Sequence, residues 1–168
     1  MPISMYQVSA PRFASTLRNL SAILDKAQAH AEAKKIDPLV LTRARLYPDM
    51  LPFTNQVQIA CDTAKGAVAR LAGVAIPKHE DTEQTFAELK ARIAKTLDFV
   101  ESLKAGQIDG AEDREVTMKL RGQDVKFKGL QYLLFHAYPN FYFHVTTAYN
   151  ILRHNGIEIG KRDYLGNP

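Results

Sequence analysis

The stretch PNFYFHVTTAYNILRHNG, residues Pro139 to Gly156, carries the pattern that decides the fold. It continues an amphipathic helix that we predict from Gly129 to His154, with Asn155-Gly156 as its end. Pro139 predicts a kink, because proline removes a backbone donor and clashes with the carbonyl group one turn earlier. The residues that turn inward recur at three- and four-residue steps: Leu134, Ala137, Phe141, Val145, Ala148 and Leu152.

Three earlier segments show the same helical period. The first runs from Pro11 to Ile36, and Asp37 then caps a short turn or helix that begins at Pro38. The second begins at Pro52 and ends at Gly73, and the third opens at the capping-box spacing of Asp81 to Gln84. Their predicted inward residues are Phe13, Leu17, Leu20, Leu24, Ala27 and Ala31; Val57, Ala60, Ala64, Val68 and Leu71; and Phe86, Leu89, Ile93, Leu97 and Val100.

The period changes between the third and fourth helices. Apolar and polar residues alternate from Val116 to Leu120 and again at Val125 and Phe127, and the residues RGQD lie between the two runs. This alternation predicts a small β-hairpin. The sequence therefore predicts an all-α fold, a four-helix bundle with a β-hairpin inserted before the last helix, as a single domain over residues 1–168.

Composition restricts the compartment and the partners. The chain has 168 residues and one cysteine, Cys61, so it forms no internal disulfide. It has no apolar run of about 20 residues and no secretory signal, which predicts a cytoplasmic protein without membrane contact. The net charge is +4, but the 22 basic residues are interleaved with 18 acidic ones, so nucleic-acid binding is disfavoured.

The last helix holds His136, Asn140 and His144 at four-residue steps. The two histidines lie roughly 12 Å apart along the axis, too far to bind one ion. His144 lies at the margin of the apolar stripe, where it is either a functional residue or a buried neutral imidazole with one hydrogen bond. Cys61 faces inward as an inert thiol, and Asp62 lies on the polar side of its helix.

Two blocks suggest a family. RLYPDMLPFTNQVQIACDTAKGAVARLAG and PNFYFHVTTAYNILRHNGIEIGKRDYLG resemble an uncharacterised bacterial family of unknown function within the DinB/YfiT-like metalloenzyme superfamily. That resemblance implies a divalent metal ion held by two histidines of the last helix and one of the second. The superfamily positions fall on His144, on Asn140 and on Cys61 or Asp62, and a glutamine of the motif falls on Thr147. The implied metal ligands are thus His144, Asn140 and Asp62.

Three functions follow from these residues. In the first, the protein is a small-molecule-binding protein or an enzyme, metal-dependent or not, with its site at the bundle end near His144. His144 would be the general base or the one strong ligand, and Asp49 and Arg45, with Tyr149 nearby, would bind or orient the substrate. The structural alternative for Arg45 and Asp49 is an ion pair that pins their loop.

The second function is a non-catalytic homodimeric module in which the metal site has degenerated. The residues FYFHVTTAY are apolar around more than one face, so they occupy the centre of the fold or an interface. The third is nucleic-acid contact through the tail GKRDYLG, where the alternative is that Tyr164 and Leu165 hold the tail to the helices.

Overall fold

The computed structural model describes residues 3–166 and is mostly helical, with one two-stranded antiparallel sheet. Within these residues no helix is both long and apolar enough to cross a lipid bilayer. The elements in chain order are α1 (Ala10–Lys34), α2 (Pro38–Thr42), α3 (Phe53–Ala72), α4 (Phe86–Ser102), α5 (Ala105–Ile108), β1 (Glu115–Leu120), β2 (Gln123–Lys128), α6 (Gly129–Tyr132), a π-helical turn (Leu133–Ala137), α7 (Tyr138–His154) and α8 (Lys161–Leu165).

The long helices α1, α3, α4 and α7 surround the core. Helix α3 lies between α4 and α7 and contacts both, while α1 contacts α4 on its other side. The residues predicted to face inward on α1 and α3 are all buried, which confirms the assigned faces. On α4 the same holds for the predicted residues except Leu97, which is half-buried. This arrangement presents one face of α3 to α7 and another to α4.

The helix ends follow local capping chemistry, with one correction. The Asp37 carboxylate accepts a hydrogen bond from the Leu39 backbone N–H at 2.9 Å, and Gly73 adopts a φ of 70° after α3, both as predicted. The predicted capping box from Asp81 to Gln84 is wrong. Thr85 caps α4 with Glu88, because each of these side chains accepts a backbone N–H of the other residue. Asp81 pairs with Arg92 instead.

The last long helix is interrupted before Pro139. The Tyr138 N–H donates to the carbonyl oxygen of Leu133, five residues earlier, which closes the π turn. A π turn holds more residues than an α turn, so it changes which residues face inward before it. Leu133 is buried and Leu134 is 44% exposed, so the prediction of an inward Leu134 is wrong. From Ala137, the last residue of the turn, onward, the predicted inward residues are buried as expected.

The predicted hairpin is confirmed, with a tighter turn. Leu120 pairs with Gln123, so the loop contains only Arg121 and Gly122, with φ angles of 51° and 83°. Positive φ at both positions is the geometry of a two-residue hairpin turn that follows the natural strand twist. The hairpin leads into α6 at Gly129, where a Cβ atom would lie 1.9 Å from the Ala111 carbonyl oxygen.

Candidate functional site

His144 is half-buried on α7, opposite the first turn of α3. Its Nδ1 atom lies 2.7 Å from Oε1 of Gln56. The amide nitrogen of Gln56 donates to the carbonyl oxygen of Leu51 at 2.9 Å. A carbonyl oxygen only accepts hydrogen bonds, so this contact fixes the orientation of the Gln56 amide and turns its own oxygen toward His144.

The Gln56 contact determines which imidazole nitrogen carries the proton. Since Oε1 of Gln56 is an acceptor, Nδ1 of His144 must be the donor, and Nε2 of the neutral ring keeps its lone pair. Burial lowers the pKa of His144 below its ordinary value, so the ring is neutral at pH 7. Nε2 has no hydrogen-bond partner among residues 3–166, yet it is not fully enclosed. It is available as a base, an acceptor or a ligand.

The loop before α3 is connected to the same glutamine. Arg45 donates from Nη1 to the carbonyl oxygen of Met50 at 2.9 Å, and the next carbonyl group, that of Leu51, accepts from Gln56. Arg45 and Asp49 are both exposed, and no ion pair joins them in the described part of the chain. The alternative in which these two residues pin the loop by pairing is therefore wrong. The loop is pinned by backbone carbonyl groups, which leaves both charges facing solvent.

Two exposed apolar residues lie near the pair formed by His144 and Gln56. The Phe143 ring is exposed and stands perpendicular to the imidazole, with 5.3 Å between ring centroids. Leu51, whose carbonyl oxygen orients Gln56, is also exposed. An exposed aromatic ring therefore lies directly beside the imidazole.

Asn140 lies one helical turn before His144 and also contacts α3. Its amide nitrogen donates to Oγ1 of Thr63 at 3.2 Å, so its Oδ1 atom is not committed to that contact. Gln56 and Thr63 are seven residues apart and therefore share one face of α3. Tyr149 lies elsewhere, because its hydroxyl group donates to the carbonyl oxygen of Ile159 and helps to hold the tail.

Asp62 lies on a different face of α3, the one that contacts α4. Its Oδ1 atom accepts from Nζ of Lys65 at 2.6 Å and from Nη2 of Arg92 at 2.8 Å. Within residues 3–166 it makes no hydrogen bond to His144 or Asn140. A step of six residues rotates a side chain by about 120° from the Gln56 direction, which explains the separation.

Arg92 is a buried cation that the sequence reasoning missed. Its side chain is 1% exposed and binds three carboxylates: Asp62 at 2.8 Å, Asp81 at 2.9 Å and Glu83 at 3.1 Å. Burial raises the pKa of Glu83. Hydrogen bonds from Gln58, from backbone and from Arg92 lower this pKa by more, so it lies below the ordinary value. The position of Arg92 between Leu89 and Ile93, on the apolar stripe of α4, is the sequence feature that indicates a buried cation.

The residues present do not fit a three-ligand metal site. In the described ranges no group of three His, Cys, Asp or Glu side chains is arranged so that it could hold a metal ion. Asp62 already binds two cationic side chains, and burial raises the pKa of Cys61 to about 12, which keeps the thiol protonated and poor as a ligand. Thr147 donates to the Phe143 carbonyl oxygen. Among the implied ligands that the structure describes, only Nε2 of His144 is a strong ligand atom without another partner.

Gln56 was also missed by the sequence reasoning. It precedes the inward residues Ala60 and Ala64 by four and eight positions, so it continues the apolar stripe of α3 toward the N-terminus. A polar side chain on such a stripe must find a hydrogen-bond partner. The place of Gln56 on the apolar stripe therefore indicates a polar contact between helices at this residue.

Comparisons with known proteins add a family and a fold. The family model described as a domain of unknown function (DUF1993) matches residues 5–165. The chain is also similar to a solved structure, a DinB family member protein from Shewanella denitrificans, with 47% sequence identity and a TM-score of 0.92. The match covers 97% of this chain and 92% of that chain, and it identifies the fold as DinB-like. A comparison with curated proteins gives no match.

Proposed function

The chain belongs to the family of the domain of unknown function DUF1993, and we propose that it binds a small molecule at Nε2 of His144. The site lies between the first turn of α3 and the middle of α7, beside the loop of residues 43–52. The binding group of the ligand is a weak acid, such as a hydroxyl or thiol group, whose proton the neutral imidazole accepts.

One observation carries this proposal: the hydrogen bonds from His144 to Gln56 and from Gln56 to Leu51, at 2.7 and 2.9 Å. A core histidine that serves only packing needs one partner for its N–H group. Here the partner is itself oriented by a second contact, so the free nitrogen is held in one direction. Such support of a functional imidazole by a hydrogen-bond acceptor is a general device for fixing tautomer and orientation.

Arg45 and Asp49 complete the proposed site as charged groups on the loop. Arg45 uses one nitrogen for the Met50 carbonyl oxygen and keeps other N–H groups for an anionic part of the ligand. Asp49 provides a negative charge for a second polar group. In a reaction, His144 would take the proton of the ligand as general base, while Arg45 would stabilise the anion that forms.

Nuclear magnetic resonance with a set of small phenols, thiols and carboxylic acids tests the proposal. Compounds that bind should shift the signals of the Gln56 side-chain amide and of the His144 ring. His144→Ala should abolish these shifts, whereas the matched variant His154→Ala, an exposed histidine on the same helix, should bind as the wild type does. Binding that survives His144→Ala would refute the proposal.

A metal-dependent form of the same site remains a prediction of the sequence resemblance, with His144, Asn140 and Asp62 as ligands. Titration with Mn²⁺ and Zn²⁺ separates the two forms. Metal binding that disappears in Asn140→Ala and in Asp62→Ala, as well as in His144→Ala, would support the metal-dependent form. Since Asp62 binds Arg92 and Lys65, we expect no specific uptake.

The second candidate function is a homodimeric, non-catalytic module. The observation in its favour is the exposure of apolar side chains around the π turn, where Leu134 is 44% and Phe135 is 75% exposed. Exposed apolar clusters commonly mark interfaces. A homodimer with no ligand response at His144 would select this candidate.

We also propose the finer architecture and setting that the sequence predicts: one domain in which α1, α3, α4 and α7 form a four-helix bundle, in a cytoplasmic protein that does not bind nucleic acid. Measuring retention on immobilised DNA at low salt would test the last point, because phosphate contacts produce strongly salt-dependent binding.

A further inference from the structure

A surface groove of about 580 Å³ lies between the N-terminal segment and the last long helix, away from His144. Its walls are largely apolar and include Ile3, Val8, Leu130 and Leu134. Leu130, Leu134 and Tyr138 follow one another at four-residue steps and form a stripe along one side of the groove. The adjacent Phe135 is 75% exposed, so the apolar surface continues beyond the groove.

The π turn explains why this surface is apolar. It closes before Pro139 with the bond from Tyr138 to Leu133 and turns Leu133 into the core. Leu134 and Phe135 then point outward. Interruptions of this kind in helices are frequently found at functional sites.

The groove has opposite charges at its two ends. Glu112 lies at the Leu130 end, because its backbone oxygen accepts the Leu130 N–H at 3.0 Å. Arg12 lies at the Tyr138 end, where the neighbouring Phe13 ring packs on the Tyr138 ring with 5.5 Å between centroids. Leu130 and Tyr138 are eight residues apart, or roughly 12 Å along a helix. Among residues 3–166 neither Arg12 nor Glu112 has an ion-pair partner.

We propose that this groove binds a second copy of the chain around a two-fold axis near Leu134. Antiparallel pairing of two identical stripes places Leu134 against Leu134 and brings each Arg12 opposite Glu112 of the other copy. A two-fold interface requires a self-complementary surface, in which residue i meets j and j meets i. An apolar stripe with a cation at one end and an anion at the other meets that requirement.

The charge pattern selects a second copy over a small apolar ligand. An amphipathic ligand with one charged end would satisfy one of the two charges and leave the other beside apolar surface. Antiparallel self-pairing forms two ion pairs, each between Arg12 of one copy and Glu112 of the other. It also covers the two Phe135 side chains. This inference rests on the homodimeric candidate and assigns its interface, and it does not depend on ligand binding at His144.

Sedimentation-velocity analysis over a concentration series tests the interface on the full chain. The wild type should be dimeric at micromolar concentration. Leu134→Glu should raise the dimer dissociation constant by roughly 100-fold, because the symmetric contact includes the substitution twice. Val40→Glu, at an exposed apolar residue of α2 outside the groove, is the matched control and should leave the dimer unchanged.

A charge exchange gives the decisive result. Arg12→Glu and Glu112→Arg should each weaken the dimer by at least about tenfold, and the double variant should restore it, since opposite charges again meet. A monomeric wild type, a dimer insensitive to Leu134→Glu, or a double variant as weak as the single variants would overturn the proposal. Binding of decanoate in the groove of a monomeric chain would likewise overturn it. Loss of ligand binding at His144 with an intact dimer would refute the small-molecule function alone.

Discussion

Replacing Arg92 by methionine removes a cation that pairs with three carboxylates. Asp62 and Asp81 are 40% and 60% exposed, so solvent screens their pairs with Arg92, and each contributes at most about 1 kcal/mol. Glu83 is 12% exposed, and a largely buried carboxylate that loses its cationic partner costs roughly 3 kcal/mol, although Gln58 still donates a hydrogen bond to it at 2.9 Å. We therefore expect Arg92→Met to lower the free energy of unfolding by about 3–4 kcal/mol at pH 7.

The loss should depend on pH in a defined direction. In the wild type the net pKa of Glu83 is depressed in the folded state, so its contribution to stability is present above the ordinary pKa of about 4.3 and is lost at lower pH. In Arg92→Met the guanidinium no longer lowers the pKa of Glu83, so this pKa is higher in the variant than in the wild type, although the hydrogen bond from Gln58 remains. Glu83 of the variant therefore takes up its proton at a higher pH than Glu83 of the wild type, so the difference in the free energy of unfolding should narrow as the pH falls from 7 to about 3.5.

Urea denaturation followed by far-ultraviolet circular dichroism at both pH values measures this difference. Lys90→Met is the matched control, because Lys90 also lies on α4 and forms a more exposed ion pair with Asp25 of α1. It should cost less than about 1 kcal/mol. An Arg92→Met variant within 1 kcal/mol of the wild type at pH 7, or a difference that is equal at both pH values, would refute the assignment of Arg92 as a structural cation.

Three further outcomes are expected. Gln56→Leu should lower the free energy of unfolding by about 1–2 kcal/mol in thermal denaturation, because it leaves the His144 N–H and a loop carbonyl group unpaired. A ligand that binds Nε2 of His144 should lose affinity in calorimetric titrations as the pH falls through the lowered pKa of that ring, and constant affinity from pH 8 to 5 would exclude the assigned contact. Gly129→Ala should lower the free energy of unfolding by about 3 kcal/mol or more, since its Cβ atom would lie 1.9 Å from the Ala111 carbonyl oxygen. Gly106→Ala is the control, because its Cβ atom would meet no atom within 4 Å, and it should change that free energy by less than about 1 kcal/mol.

The long helices and the hairpin could be predicted from the sequence because their apolar periods are strong. The stripe on α1 and the alternation from Val116 to Leu120 depend only on local spacing, and the structure confirms both. The phase of the last helix before Pro139 could not be predicted in this way. Proline indicates an interruption of the helix. Whether a kink or a π turn forms there depends on packing against the N-terminal segment and the hairpin.

The site was predictable only in part. His144 was identified from its margin position and from the family resemblance, but its partner Gln56 belongs to another helix, 88 positions away. The partition of polar residues on α3 also required the structure. Gln56 and Asp62 are close in sequence, yet one turns toward α7 and the other toward Arg92 on α4. These roles depend on contacts between helices, and such contacts cannot be predicted from the spacing of residues within one helix.

The most direct measurement of the His144 site is a long-range ¹H–¹⁵N correlation spectrum of the imidazole ring, recorded from pH 8 to pH 5 without ligand. The hydrogen bond to Gln56 predicts a neutral ring protonated at Nδ1, with a lone pair on Nε2 and a pKa below the ordinary value of 6.5. A ring protonated at Nε2, or one that titrates at or above the ordinary value, would contradict the role of His144 as an oriented acceptor.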